Sequence, residues 1–130
     1  LRPRLRGRRR GGHREDDHEF RHWPPHAISG SWGGEVVKEL APLPGDYVVP
    51  KRRYSAFFGT DLDNYLREMG VKTLYLTGVL TNICVYATAL DASMRNYGVK
   101  VFRDAVASLS EETDSFIFRQ LEEVLRAELL

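Results

Sequence analysis

Apolar positions along the chain follow two alternating rhythms, one helical and one strand-like. Residues 60–69 place Leu62, Tyr65, Leu66 and Met69 on one helical face, with Thr60-Asp61 as the opening and Gly70 as the stop. The run TLYLT at 73–77 has the composition of a strand buried in a parallel sheet. The segment 78–82 then turns into a predicted helix reaching about residue 97, stopped by Gly98. Residues 100–103 supply a further strand. Ser110, followed by Glu111 and Glu112, reads as the N-cap of a helix through about 127, anchored by Phe116, Leu121, Val124 and Leu125. Upstream, 33–40 predicts a short helix closed by the Pro-rich turn 41–45, and 47–49 a short strand ended by Pro50. The order α-β-α-β-α-β-α predicts an α/β fold: three layers, α-β-α, around a mainly parallel, Rossmann-like sheet, with functional groups at the carboxyl ends of its strands.

A length of 130 residues suits one domain. No apolar run approaches the roughly 20 residues that cross a bilayer, and no secretory h-region stands near residue 1, so a cytoplasmic protein without membrane contact is expected. A single cysteine excludes an internal disulfide. The net charge of +1 hides an asymmetry, because seven arginines and no acid lie in residues 1–14, leaving 12 basic residues against 18 acidic ones. The body is therefore acidic, which argues against nucleic-acid binding except through the basic arm. Residues 1–14 are expected to be a disordered arginine/glycine-rich arm. It is either a tail for RNA or another anionic surface or, the reading weighted more heavily, a start-site or reading-frame artefact standing in place of upstream sequence.

Candidate chemistry gathers at two predicted strand exits. Cys84 stands where 73–77 passes into the longest predicted helix, and free backbone N–H groups there favour a thiolate and can hold an oxyanion. A small buried apolar cysteine fits the same pattern about equally well. Lys51 follows Pro50 at the other exit, where it could steady a thiolate, although the run Lys51-Arg52-Arg53 also fits a solvated basic turn.

Three separated segments, 51–57 (KRRYSAF), 77–85 (TGVLTNICV) and 103–106 (RDAV), resemble in order and spacing the signature segments of isochorismatase-like cysteine hydrolases, a family that includes nicotinamidases. The likeness runs from residue 18 to about 125 and takes in WPPH at 23–26 and the glycines of 30–34. It implies Cys84 as nucleophile and Lys51 as the second member of a catalytic set of aspartate, lysine and cysteine. It further implies a cis Val79–Leu80 peptide, an oxyanion hole made by the backbone N–H groups of Leu80 and Cys84, and Tyr54 and Phe57 on the pocket wall, with Phe58 in the core. Asp104 is expected to order the loop after its strand.

Two departures stand out. The family's aspartate lies at the end of a first strand, in a motif like Asp-x-Gln-x-x-Phe upstream of the tryptophan-proline loop, and this sequence has no such strand. Asp16 and Asp17 stand in a polar loop and do not replace it. Residues 15–130 are therefore expected to form a partial hydrolase domain with the first strands missing, poorly active and with open sheet edges that favour a homo-oligomer. The family's Asp-x-His metal pair is also absent. His18 and His26, with His13 and His22 nearby, fall short of the three or four ligands of a zinc site, so no organic cofactor and no metal are expected, with a zinc-like ion at His18 and His26 as the weaker alternative. The expected function is hydrolysis of a small amide or related C–N bond through a Cys84 thioester, with nicotinamide-like substrates leading. The competing reading is a non-catalytic remnant or interaction protein that carries an arginine-rich arm.

Overall fold

A computed structural model describes residues 18–130 of the chain. The arm at 1–14, together with His13, Asp16 and Asp17, lies outside the described residues. The chain falls into two compact units, Leu1–Arg52 and Arg53–Leu130.

The described part of the first unit is built of turns. Three short 3-10 turns occupy His18–Arg21, Trp32–Gly34 and Lys38–Leu40. The single helix expected over 33–40 is thus broken into two separate turns. Gly34 explains part of this: a Cβ there would stand 2.7 Å from the Ile28 carbonyl oxygen, so the backbone folds back on itself where a helix would have to run on. The β-branched pair Val36-Val37 gives no help to a helix either. Residues 47–49, expected as a strand, enter no sheet ladder; β-rich composition makes a strand only when another strand lies alongside.

The second unit is an α/β structure. Helix α1 (Leu62–Glu68) leads to strand β1 (Thr73–Val79), helix α2 (Tyr86–Met94), strand β2 (Gly98–Ala107), helix α3 (Glu111–Glu123) and the short strand β3 (Glu128–Leu129). The sheet is parallel throughout, in the order β1-β2-β3, with α2 and α3 as the crossover connections. Lys100 of β2 and Glu128 of β3 close the second pair with a 2.7 Å ion contact. The helix predicted through 127 ends earlier, at Glu123, because the chain must extend to pair with β2.

The core joins Val99 and Val101 of β2 to Ala89 and Ala92 of α2 and to Ile117 and Leu121 of α3. Two small alanines let α2 lie close against the sheet. The buried face of α3 differs from the expected one: Ile117 and Leu121 are buried while Phe116 is 52% and Val124 59% exposed. The rotation follows from i, i+4 spacing, which lines up Ile117, Leu121 and Leu125 as one stripe. On α1, Leu62 and Leu66 pack on the core but Met69 is exposed. Gly70 ends α1 with a φ of 69°, as the sequence suggests. At the end of α2, however, the left-handed residue is Asn96 (φ 64°), and Gly98 instead pairs with Thr73, where a Cβ would press to 3.0 Å from Thr73 Oγ1.

Candidate active site

Strand β1 delivers its carboxyl end to the turn that carries the cysteine. Gly78 bends with a φ of 108°, Val79 closes the strand, and the Val79–Leu80 peptide is cis. Residues Thr81–Val85 then form a wide π turn before α2 begins, where the sequence predicts regular helix from Asn82. The Leu80 carbonyl accepts from both Ile83 N–H (3.1 Å) and Val85 N–H (3.2 Å), so one oxygen closes a tight and a wide ring together. Such single π turns are uncommon and concentrate at functional sites. Thr81 and Val85 point into the protein and are buried; Cys84, between them in sequence, is in no disulfide and only partly buried.

The neighbouring strand exit lies alongside. β2 pairs with β1 in regular register up to Leu76↔Val101, then loops out at 102–105 and resumes at Gly78↔Val106 and Val79↔Ala107. Asp104 sits in this bulge and is exposed, within β2 and not in a loop after it. From Ala107 the chain enters the 108–110 turn. Ser110 caps α3, its hydroxyl accepting the Thr113 N–H at 3.2 Å. The Ser108 N–H donates to Asp114 Oδ2 at 3.2 Å. The Asp114 carboxyl is held below its ordinary range, first by the Thr81 hydroxyl and then by Ser108, against the opposing effect of burial.

Segment 54–60 is fixed to α2. The Ala56 N–H donates to Thr88 Oγ1 at 3.1 Å, and Thr60 donates its hydroxyl to the Ala56 carbonyl at 2.6 Å. Phe57 is 5% exposed, its ring stacked 5.9 Å from Tyr97 and covered by the Arg95 guanidinium at 4.9 Å. Phe58, expected in the core, is instead 64% exposed. Tyr54 remains partly exposed. Cys84, Leu80, Tyr54 and Phe57 therefore share the second unit. Lys51 belongs to the first, where its N–H donates to the Val49 carbonyl at 2.9 Å. Thr88, Thr81 and Asp114 were not singled out by the sequence, and their neighbours in it give no signal for them.

The described histidines lie in the first unit. His18 meets His22 edge to face at 5.5 Å, and His26 Nδ1 pairs with the Pro24 carbonyl at 2.8 Å. Among the described residues no three His, Cys, Asp or Glu side chains converge, so these histidines do not by themselves make a metal-ligand set. Also among the described residues, no helix is long and apolar enough to cross a membrane.

Comparison with known proteins agrees with this geometry. Residues 4–128 match the model of the isochorismatase domain. The chain is 44% identical over 101 residues to the uncharacterized isochorismatase family protein PncA of Bacillus subtilis (strain 168), covering 72% of this chain and 55% of that protein. Among solved structures, an isochorismatase-like hydrolase from Alkaliphilus metalliredigens is 42% identical with a TM-score of 0.86, over 92% of this chain and 65% of that one. A pyrazinamidase/nicotinamidase from Streptococcus mutans UA159 is 43% identical with a TM-score of 0.83, over 92% and 72%. The chain thus spans about half the length of the curated relative it matches.

Proposed function

Since the chain belongs to the isochorismatase family, we propose that it hydrolyses a small amide or related C–N bond, with Cys84 as the nucleophile and nicotinamide-like amides as the leading substrate class. The observation that carries this reading is the place of Cys84, a partly exposed thiol in a π turn at the carboxyl end of β1. Parallel α/β sheets gather their reactive groups at such strand exits.

In the proposed reaction the thiolate sulfur forms a bond to the amide carbon and the carbonyl π electrons move onto oxygen. The backbone N–H groups of Leu80 and Cys84 are assigned to that oxyanion, where each well-aimed donor contributes about 3 kcal/mol to the transition state. The C–N bond then breaks and the nitrogen leaves as ammonia, carrying the proton that the thiol gave up. Water adds to the thioester carbon, the C–S bond breaks, and the proton of water returns to sulfur as the acid departs. Lys51 is assigned to steadying the thiolate on the resemblance of segment 51–57 alone, and Tyr54 to the pocket wall on the same ground; Phe57, expected on that wall too, lies in the core against Tyr97 and would back the wall from behind. Oligomerisation and a cytoplasmic location remain part of this proposal.

The test is ammonia release from nicotinamide by the full chain, beside Cys84→Ala, with mass spectrometry of the protein trapped during turnover. The expected result is an acyl adduct on Cys84 and a loss of at least about a thousandfold in the variant, as for other nucleophile deletions. Equal rates in the two proteins would overturn the assignment of Cys84. A chain that binds amides but never turns them over would favour the non-catalytic reading.

A further inference from the structure

Two strand exits meet the first turn of α3, and one carboxylate stands between them. Ala107 at the end of β2 lies beside Val79 at the end of β1, so the loop 108–110 and the Cys84 turn leave the sheet side by side. Asp114, one turn into α3, takes the Ser108 N–H on Oδ2 at 3.2 Å and fastens the first of these exits. The second exit presents Thr81, the first residue of the Cys84 turn and fully buried. Thr81 Oγ1 and Asp114 Oδ1 are both closed off from solvent, and among the described residues neither has a hydrogen bond of normal geometry, to the other or to any further group; Asn82 Oδ1 is in the same state. An orphaned buried polar atom is costly, and a small movement that lets the Thr81 hydroxyl donate to Asp114 Oδ1 satisfies a donor and a charged acceptor together, which donation to the neutral Asn82 Oδ1 does not. The Thr81 hydroxyl is also the first cause that holds the Asp114 carboxyl below its ordinary range.

We propose that Asp114 is a positioning residue for the nucleophile: one carboxylate oxygen holds the Ser108 N–H, the other takes the Thr81 hydroxyl, and the clamp sets where the Cys84 turn leaves β1. The π turn makes this clamp necessary. Its wide ring lacks the regular i to i+4 ladder that stiffens an α-helix, so its orientation has to be imposed from outside. Thr81 is three residues before Cys84, within the same turn, so a shift at Thr81 is carried to the thiol. Displacement of a reacting group by about 1 Å is enough to cost on the order of a hundredfold in rate.

This proposal rests on Cys84 being the reactive group and is tested without assuming a substrate. The chain has one cysteine, so iodoacetamide alkylation followed by mass spectrometry reads Cys84 alone. Asp114→Ala and Thr81→Val are each expected to slow alkylation by about tenfold, and the double variant to be no slower than either, as for two groups in one contact. Thr81→Ser, which keeps the hydroxyl, and Asp114→Asn, whose amide oxygen can take the Ser108 N–H while its NH2 donates to the Thr81 hydroxyl oxygen, should hold rates within about threefold of the original chain. Val101→Ala, destabilised in the core far along β2, should lower the Tm and leave alkylation unchanged. Rates unaltered in Asp114→Ala and Thr81→Val, losses that multiply in the double variant, or an equal loss in Val101→Ala would each overturn the clamp. Nicotinamide hydrolysis on the same samples separates the two proposals. Coupled alkylation losses in a chain that hydrolyses nothing keep Asp114 as the group that places Cys84 and sink the amidase reading.

Discussion

Thr88 Oγ1 accepts the Ala56 N–H at 3.1 Å, a bond between residues 32 positions apart that fastens the loop carrying Tyr54 and Phe57 to α2 one turn beyond Cys84. The loop has no strand or helix of its own before α1, so this contact and the buried Phe57 ring set its position.

Thr88→Val keeps the shape and leaves the Ala56 N–H without its acceptor. Urea unfolding is expected to show a loss of about 1–3 kcal/mol, with Thr88→Ser close to the original chain. A Thr88→Val protein as stable as the original would mean that water replaces the bond and the loop is held by Phe57 alone.

The Tyr97 hydroxyl donates to Asp63 Oδ1 at 2.8 Å, and Arg67 stands 3.1 Å from the same carboxylate. The Tyr97 bond is the first cause and Arg67 a further one that hold the Asp63 carboxyl below its ordinary 3.8. Because the folded pKa is depressed, the stabilisation is present above about 3.8 and is lost as pH falls through the lower folded value. Tyr97→Phe should therefore flatten the acid limb of a stability profile taken from pH 5 downward. A limb of unchanged slope would show that the Tyr97 bond contributes nothing to it.

Gly78 has a φ of 108° with open space where a Cβ would stand. Nothing would clash, so Gly78→Ala isolates the backbone cost of that conformation, about 1–3 kcal/mol. Thermal unfolding of the variant should show the loss; a Tm equal to that of the original chain would mean that the turn before Cys84 relaxes into an ordinary conformation.

Leu121 is fully buried and Phe116 is half exposed on the same helix. Leu121→Ala should cost about 2–5 kcal/mol by leaving a cavity, whereas Phe116→Ala should cost less than about 1 kcal/mol. Denaturant midpoints that rank the two in the opposite order would place the buried stripe of α3 on the other side.

The sequence by itself determined the alternation of elements in the second half of the chain. β-rich runs such as 73–77, expected as a buried strand but left exposed or half-buried along its whole length, the Ser110 cap and the Gly70 stop are local signals, written in the residues that obey them. It also determined the family, because the segments around Lys51, Cys84 and Asp104 keep a recognisable order whatever their packing. Only the tertiary structure decided which of two apolar stripes α3 buries, that Phe57 and not Phe58 enters the core, and that 47–49 joins no ladder. These depend on what lies opposite, and a pattern along one chain does not say what faces it. Thr88, Thr81 and Asp114 belong to the same class. A hydroxyl or a carboxylate in a helix looks the same in sequence whether it meets water or a partner from a distant loop, and its role becomes visible only once folding has removed the water.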